Sequence, residues 1–254
     1  MTKQKSVQSV ERAAAILRCF TEKKPEMKLS EIAAAVGLNI STVHGLVNTL
    51  KQNGLLEQND EYQRYRLGYF LIELGDRAAN SIDILKLSLP ILQPLRAKLG
   101  ETIHVAAIDN LEVIYIQKEE STQSMRIYTQ IGSRNPAYCT GVGKAMMAFI
   151  DESVLETMLP EKMDRLTANT ITLKSELLKE LATIRSSGYA IDNEENVEGL
   201  TCVAAPIFDH TGRARYAISI SGPTIRMTQD KIRESIELIK QAARDLSILI
   251  GHRY

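Results

Sequence analysis

The sequence predicts an α+β chain in two parts, an N-terminal winged helix-turn-helix and a larger C-terminal sheet domain. Three observations carry this expectation. The 254 residues are too many for one helix-turn-helix module and suit a small and a medium domain, each able to bury its own core. Three amphipathic helical patterns lead directly into a strand-turn-strand pattern within the first 67 residues. Beyond them, strand and helix patterns come in runs that do not alternate strictly, which argues for an α+β sheet rather than a Rossmann sheet.

The N-terminal elements follow from spacing. Val10, Ala13, Ala14 and Leu17 mark one helix face within Ser9–Phe20, with Ser9 as candidate cap. Leu29, Ile32, Ala33 and Val36 repeat that pattern behind a candidate cap at Ser30, and Gly37 ends it where a left-handed residue is needed. A third helix buries Val43, Leu46, Val47 and Leu50 and turns Ser41, Thr42, His44, Gly45 and Asn48 to its other sides. Residues 54–67 alternate around a polar turn at Asn59, Asp60 and Glu61, as in a β-hairpin or wing. Phe70 to about Leu89 regains helical spacing. Pro90 and Pro94 punctuate the passage onward, so the domain boundary is expected near residues 80–90.

In the C-terminal part, Thr102–Ile108 and Leu111–Lys118 are short apolar strands joined through Asp109-Asn110, and Met125–Ile131 reads as another. Helical patterns follow at Gly143–Phe149, Ser153–Leu159 and Ser175–Ser186. Strands return at Gly188–Asp192, Cys202–Phe208 and Arg215–Ser221, and a helix capped by Thr228 closes the chain near Ile250.

Composition bounds the function. Hydrophobic residues make up 44% and charged residues 24%, which is ordinary for a folded soluble chain. The first 20 residues contain neither a membrane-spanning apolar run nor the order of a signal peptide, and Cys19, Cys139 and Cys202 form no disulfide pattern. A cytoplasmic location and reduced thiols are expected, with no membrane partner. The formal net charge is +0, yet residues 1–69 hold ten Lys and Arg against seven Asp and Glu. That local excess is weak support for nucleic-acid binding.

Helices that cross closely need a small residue midway along the first and a turn residue between them, and Ala33 and Gly37 meet both needs. Ile32, Val36, Leu38, Val43 and Leu46 fill the shared core at the offsets this motif uses. The second helix of such a pair enters the major groove with its amino-terminal half toward the base edges. Ser41, Thr42, His44 and Asn48 are then the candidates for base contact, since Ser and Thr reach several bases or a phosphate, Asn pairs with adenine and His donates to guanine. Each is equally at home on a solvated helix face, and Ser41 is also a candidate cap. Lys51 at the helix end and Arg64 and Arg66 on the wing are placed for phosphates, as are Lys3 and Lys5 on an arm. The alternative is that the helical hairpin serves as a dimerisation arm.

The segments SVQSVERAAAIL, LSEIAAAVGLNISTVHGLVNTLKQNGLLE and RYRLG resemble the amino domain of the IclR family of bacterial regulators. GETIHVAAID, CTGVGKA, GYAIDNEENVEGLTCVAAPIFD and AISISGP resemble its carboxyl domain. The resemblance runs from about Ser6 to Ile250. It implies a winged helix over residues 1–69, a linker helix over 70–89 and a GAF-like effector-binding and oligomerisation domain over 90–254, assembled as homodimers or dimers of dimers on double-stranded, palindromic operator DNA. One departure is Gly45, where the family usually has Arg after the His of STVHR. A mid-helix Gly costs about 1 kcal/mol relative to Ala, and a cationic donor is lost with it. Operator preference is therefore expected to differ from that of Arg-bearing relatives, unless the Arg served only as a phosphate anchor that Lys51 or the wing replaces.

The TGVGKA run places glycines and a Lys at a helix start, as a phosphate-binding loop does. Tyr138 stands where the first Gly of that loop belongs, and Ala145 where a magnesium-binding Ser or Thr belongs, so nucleotide hydrolysis and a metal or other cofactor are not expected. Helix-end N–H groups at Gly141 and Val142 can still hold a carboxylate. The family resemblance adds Asp192, Cys202, Ser219 and Ser221 to Gly141 and Val142 as the effector set: amides and hydroxyls for an acid's oxygens, and Asp192 as an acceptor from a hydroxyl, hydrate or water. Asp192 fits a turn residue as well, and Ser219 and Ser221 fit simple alternation on a strand. Where relatives that bind very small keto acids line the wall with bulky aliphatics, this chain has Ser124, Ile127 and Asn135, which suggests a roomier, more polar pocket for a longer hydroxylated or keto acid. Tyr138 offers a further hydroxyl, or a core aromatic.

The expected function is sequence-specific DNA binding by a regulator, a repressor of a catabolic operon whose operator binding a small carboxylic acid such as a sugar or keto acid modulates. An activator of the same family is the alternative. An enzyme using Cys202, a serine, His104 or His210 lacks any local activating signature, and the four histidines lack metal-ligand spacing.

Overall fold

The computed structural model describes residues 7–59, 62–80, 83–125, 127 and 129–253, and the chain divides into two compact units, residues 1–81 and 82–254. Lys3 and Lys5, and Asp60 and Glu61 of the wing turn, lie outside the described residues.

In the first unit, α1 (Gln8–Arg18), α2 (Leu29–Val36) and α3 (Ile40–Gln52) pack around Ile16, Ile32, Val43, Val47, Leu50, Leu56 and Tyr65. Burying each such side chain stabilises the unit by about 1.5–3 kcal/mol relative to exposure. The caps differ from those expected. α1 begins one residue before Ser9 and carries no side-chain cap. α2 begins before Ser30, and Glu31 instead accepts the Lys28 N–H through Oε2 at 2.6 Å. Asn39, not Ser41, caps α3: its Oδ1 accepts from the Thr42 N–H at 2.8 Å and from Ser41 Oγ at 2.9 Å. Asn39 wins because it alone has the extended backbone of a cap, whereas Ser41 is already inside the first turn. Gly37 is left-handed, with φ of 65°, and closes α2 as its position requires.

The wing pairs β2 (Leu56–Asn59) antiparallel with β3 (Arg64–Leu67), and a two-residue strand, β1 (Met27–Lys28), adds to the far side of β3. Its base is held shut at Gly68, where a Cβ would stand 2.1 Å from the Gly54 carbonyl oxygen. α4 (Phe70–Asn80) follows.

The second unit opens with α5 (Asp83–Leu99). Pro90 and Pro94 lie inside this helix rather than ending one. Each removes one i→i−4 bond, yet Ile84, Ser88, Leu92, Leu95 and Leu99 form an unbroken buried stripe through both, and that packing outweighs the lost bonds. Six strands form one antiparallel sheet: β4 (Thr102–Asp109), β5 (Glu112–Glu119), β6 (Arg134–Pro136), β7 (Ala190–Asn193), β8 (Leu200–Phe208) and β9 (Ala214–Pro223), in the order β6-β5-β4-β9-β8-β7. Asp109-Asn110 turns β4 into β5, with Asn110 left-handed at φ 53°.

Period-two alternation splits the strand residues between two cores. Ile103, Val105, Val203, Ala205, Ile218 and Ile220 meet α5 and α9 (Gln229–Leu249), the latter capped by Thr228 as expected. Ala106, Val113, Ala204 and Ala217 face the opposite layer of α6 (Gly141–Met147), α7 (Glu152–Met158) and α8 (Lys174–Ser187). A short 3-10 turn, Ala137–Cys139, precedes α6. No strand forms among the described residues of the segment 125–131. Instead Gly132 N–H donates to the Tyr115 carbonyl at 2.7 Å, and pairing with β5 begins only at Arg134. The described residues between Glu120 and Ser133 form the strap that leads from β5 to β6.

Candidate functional site

The first unit presents α3 as an outward-facing helix. Ser41 and His44 are exposed, Thr42 and Asn48 partly so, while Val43, Val47 and Leu50 hold the opposite side in the core. Asn48 Nδ2 lies 3.4 Å from the ring nitrogens of His44, so these two candidates form one polar pair a helical turn apart. Gly45 is helical and open: a Cβ there would meet nothing within 4 Å. The three described phosphate candidates are already engaged. Lys51 Nζ donates to Gln58 Oε1 at 2.9 Å, Arg64 donates to the Glu26 carbonyl at 3.1 Å and lies 3.6 Å from Glu31, and Arg66 places Nε and Nη2 at 3.1 and 2.9 Å from Glu57 Oε2. The Lys51 and Arg66 contacts are exposed and that of Arg64 with Glu26 is partly buried; exposed contacts of this kind contribute little, so a phosphate can replace them.

The second unit contains a cavity of about 250 Å³, and Gly141, Val142, Asp192, Cys202, Ser219 and Ser221 all line it. Sheet register brings them together. Asp192 pairs with Cys202, Cys202 with Ser221 and Ser221 with Thr102, a single row across four strands on one face of the sheet. Ser219 sits in the next row, opposite His104 on β4. Gly141 stands over this floor, where a Cβ would come 3.4 to 3.7 Å from the side chains of Ala204, Cys202 and Asp192. Gly143 has a different reason to be glycine, because a Cβ there would lie 2.2 Å from the Ala137 carbonyl oxygen. The two glycines of the GVGK run let α6 approach both the 3-10 turn and the sheet.

Thr140 caps α6 by accepting the Gly143 N–H at 3.2 Å, while the N–H groups of Gly141 and Val142, in the first turn, have no intrahelical acceptor. Lys144 does not reach the cavity. Fully buried, it places Nζ 2.5 Å from Glu195 Oε1 and 3.5 Å from Glu180 Oε1, and the Glu195 N–H in turn donates to Asp192 Oδ1 at 2.8 Å. Burial pushes the Asp192 carboxyl up to about 7, with the neighbouring Glu195 adding to the rise against the hydrogen bond from its backbone. Burial also raises the Cys202 thiol well above its ordinary value, helped by the Asp192 charge, so it stays a thiol beside Asp192 and Ser221.

Of the wall residues, Ile127 and Asn135 line the cavity. Ser124 is exposed and does not. Tyr138 is also displaced from the expected role: its hydroxyl donates to the Asp164 carbonyl at 2.8 Å. Residues that sequence reasoning missed as lining include His104, Tyr115, Thr129, Gln130, Ser133 and Asn196. His104 is 2% exposed, with Nδ1 3.4 Å from Ser221 Oγ and Nε2 without a partner. Burial holds its imidazole down to about 4, hence neutral. The alternation of β4 signals that His104 shares a face with Thr102 and Ala106, but which face bounds a cavity is not written in that pattern. Among the described residues no group of three or more His, Cys, Asp or Glu is placed to hold a metal ion, and no helix is long and apolar enough to cross a membrane.

A winged helix-turn-helix joined to an antiparallel sheet domain with a cavity lined by both polar and apolar residues fits a DNA-binding transcriptional regulator with an effector domain. The chain belongs to the IclR family: the IclR helix-turn-helix domain matches residues 9–60 and the bacterial transcriptional regulator IclR C-terminal domain matches residues 76–248. It is 37% identical to the HTH-type transcriptional regulator KdgR of Dickeya chrysanthemi, over 97% of this chain and 81% of that protein. It is 31% identical to the HTH-type transcriptional repressor AllR of Escherichia coli, over 98% of this chain and 92% of AllR. The crystal structure of the Thermotoga maritima IclR superposes with a TM-score of 0.77 at 33% identity, covering 96% of this chain and 99% of that one. The family is one of transcriptional regulators and not of enzymes.

Proposed function

We propose that this regulator is a repressor of a catabolic operon, released from its operator by a small carboxylic acid that binds the cavity of the second unit. The observation that supports this most is convergence: six residues scattered from position 141 to 221 meet on one cavity that holds a compact ligand and little more. The acid's carboxylate takes the Gly141 and Val142 N–H groups and the hydroxyls of Ser219 and Ser221. Asp192, in its protonated form, donates to a ligand oxygen, and the Cys202 thiol packs beside it. The polar strap residues Thr129, Gln130 and Ser133 favour a hydroxylated or keto acid over a plain hydrocarbon chain. Ser41, Thr42, His44 and Asn48 read bases, and Lys51, Arg64 and Arg66 hold phosphates. The relationship to AllR, named a repressor, supports the sign of regulation. The protein acts in the cytoplasm as a homodimer or dimer of dimers, since a palindromic operator demands a matching twofold axis.

The test uses the full chain. Operator fragments are selected from random duplex DNA and binding is followed by anisotropy against salt, where a steep slope is expected from counterion release. Sugar and keto acids are then titrated in. Release of DNA by at least one acid, lost in Ser219→Ala/Ser221→Ala, is the expected result. A chain that binds no duplex at low salt, or that no carboxylate affects, overturns the proposal.

A further inference from the structure

We infer that His104 is a specificity-determining residue of the cavity, whose Nε2 hydrogen-bonds an oxygen substituent on the effector's carbon chain away from the carboxylate. This inference rests on the carboxylate site proposed above and names which acids that site prefers: those with a hydroxyl or carbonyl along the chain over alkanoates of equal length.

Three observations carry it. His104 lines the cavity and is 2% exposed, yet its Nε2 has no partner, a rare condition for a buried polar atom and one that a bound molecule relieves. The other end of the ring is spoken for, since Nδ1 lies 3.4 Å from Ser221 Oγ. That contact fixes the ring orientation, and the Ser221 hydroxyl, able to donate or accept, allows either tautomer, so Nε2 can serve a carbonyl or a hydroxyl.

Position decides which part of the ligand His104 meets. Gly141 sits over β8 and β7, close to Cys202 and Asp192. β4 lies two strands from β8 in the sheet, on the far side of β9. At about 4.8 Å per strand, His104 stands about 10 Å across the floor from the helix-end amides, with the two serines of β9 between them, and its Nε2 is the ring nitrogen turned away from Ser221, so the oxygen it bonds lies beyond the carboxylate that amides and serines hold. It therefore faces the distal part of the ligand.

The groups around the ring offer no competing partner for Nε2. The Tyr115 ring packs at 5.1 Å between centroids, and Lys118 on the neighbouring strand places Nζ 2.7 Å from Glu120 while also donating to the Thr129 carbonyl. Burial and the Lys118 charge keep the imidazole neutral, so it acts as a hydrogen-bonding group and not as a charge.

The experiment compares matched acids on the full-length protein by calorimetry: gluconate against hexanoate, and 4-oxopentanoate against pentanoate. His104→Phe removes both nitrogens and keeps a planar ring, whereas His104→Gln carries an amide to the Nε2 position. The oxygenated acid is expected to bind the wild type more tightly than its alkanoate in at least one pair. That preference should fall about tenfold or more in His104→Phe and survive in His104→Gln, while the alkanoate is unaffected. A readout independent of variant folding is the ring ¹⁵N signal of His104 in histidine-labelled wild type, where Nε2 should shift with the oxygenated acid and not with the alkanoate. Oxygenated acids that bind equally well to wild type and His104→Phe, without a ring shift, overturn this inference and leave the carboxylate site standing. So does preferential binding of the alkanoates. Binding of no acid by the wild type overturns the carboxylate site and this inference with it.

Discussion

Asp192 shows how burial moves the titration of one side chain toward neutral pH. Its folded-state value of about 7 lies far above that of an unfolded aspartate, so the neutral form is favoured inside. The sign follows from linkage: stability supplied by the protonated form is complete below the unfolded value near 4 and is lost as pH rises through about 7. An anionic effector adds a second penalty above that point, because it must then face a carboxylate. Acid affinity measured by calorimetry should be flat between pH 5 and 6 and fall by up to about tenfold per pH unit above 7. Asp192→Asn should remove the dependence, and an affinity that rises with pH would exclude this role. Gly45 gives a second prediction at this scale. With open space where its Cβ would be, Gly45→Ala should stabilise the first unit by about 1 kcal/mol in thermal unfolding. Gly45→Arg should in addition tighten operator binding and steepen its salt dependence. Both residues are visible in the sequence as departures or motif members, but the Asp192 shift comes from enclosure, which no local pattern reports.

The elements divide in the same way. Helices whose apolar residues recur at three and four or that end at a glycine such as Gly37, and strands joined by Asp109-Asn110, were legible because one segment contains the whole signal. α5 was not, since proline is read locally as a stop while the helix is sustained by a stripe that packs on α9 and the sheet. Met125–Ile131 has strand-like composition, but its described residues form no strand, and pairing is a property of two segments. The α3 cap was misplaced by two residues because Asn39 and Ser41 are both good caps, and only backbone conformation separates them. Asn39→Ala should therefore cost about 1 kcal/mol of first-unit stability, and Ser41→Ala a few tenths at most, as read by the midpoint of chemical unfolding. α6 gives the opposite case, a small residue with no freedom. Gly143→Ala drives a methyl into the backbone of Ala137 and should destabilise the second unit by on the order of 3 kcal/mol and abolish acid binding, whereas an unchanged melting temperature would show that the 3-10 turn yields instead.

At the scale of the whole molecule, the net charge of zero conceals a division of labour between two units with separate cores. Hydrophobic patterns of two parts were readable in the sequence because each unit carries its own core residues. The row of Asp192, Cys202 and Ser221 was named only through family resemblance, because it depends on the register of four strands contributed by segments 102–109, 190–193, 200–208 and 214–223. Separate cores have a thermodynamic consequence. An effector that contacts only the second unit stabilises that unit by mass action, by about 2.7 kcal/mol at a hundred times its dissociation constant. For a unit of this size each kcal/mol moves the melting temperature by about 2–4 °C, so the second-unit transition should rise by about 5–10 °C. Calorimetry of the full chain without DNA is then expected to resolve two transitions, of which a saturating acid moves one. The Asn39→Ala and Gly143→Ala variants assign them, since each lowers a different transition. If the acid instead raises a single merged transition, or moves the one that Asn39→Ala lowers, the units are not energetically separate. The effector would then act through a shared core and not through the linkage of two independently folded parts.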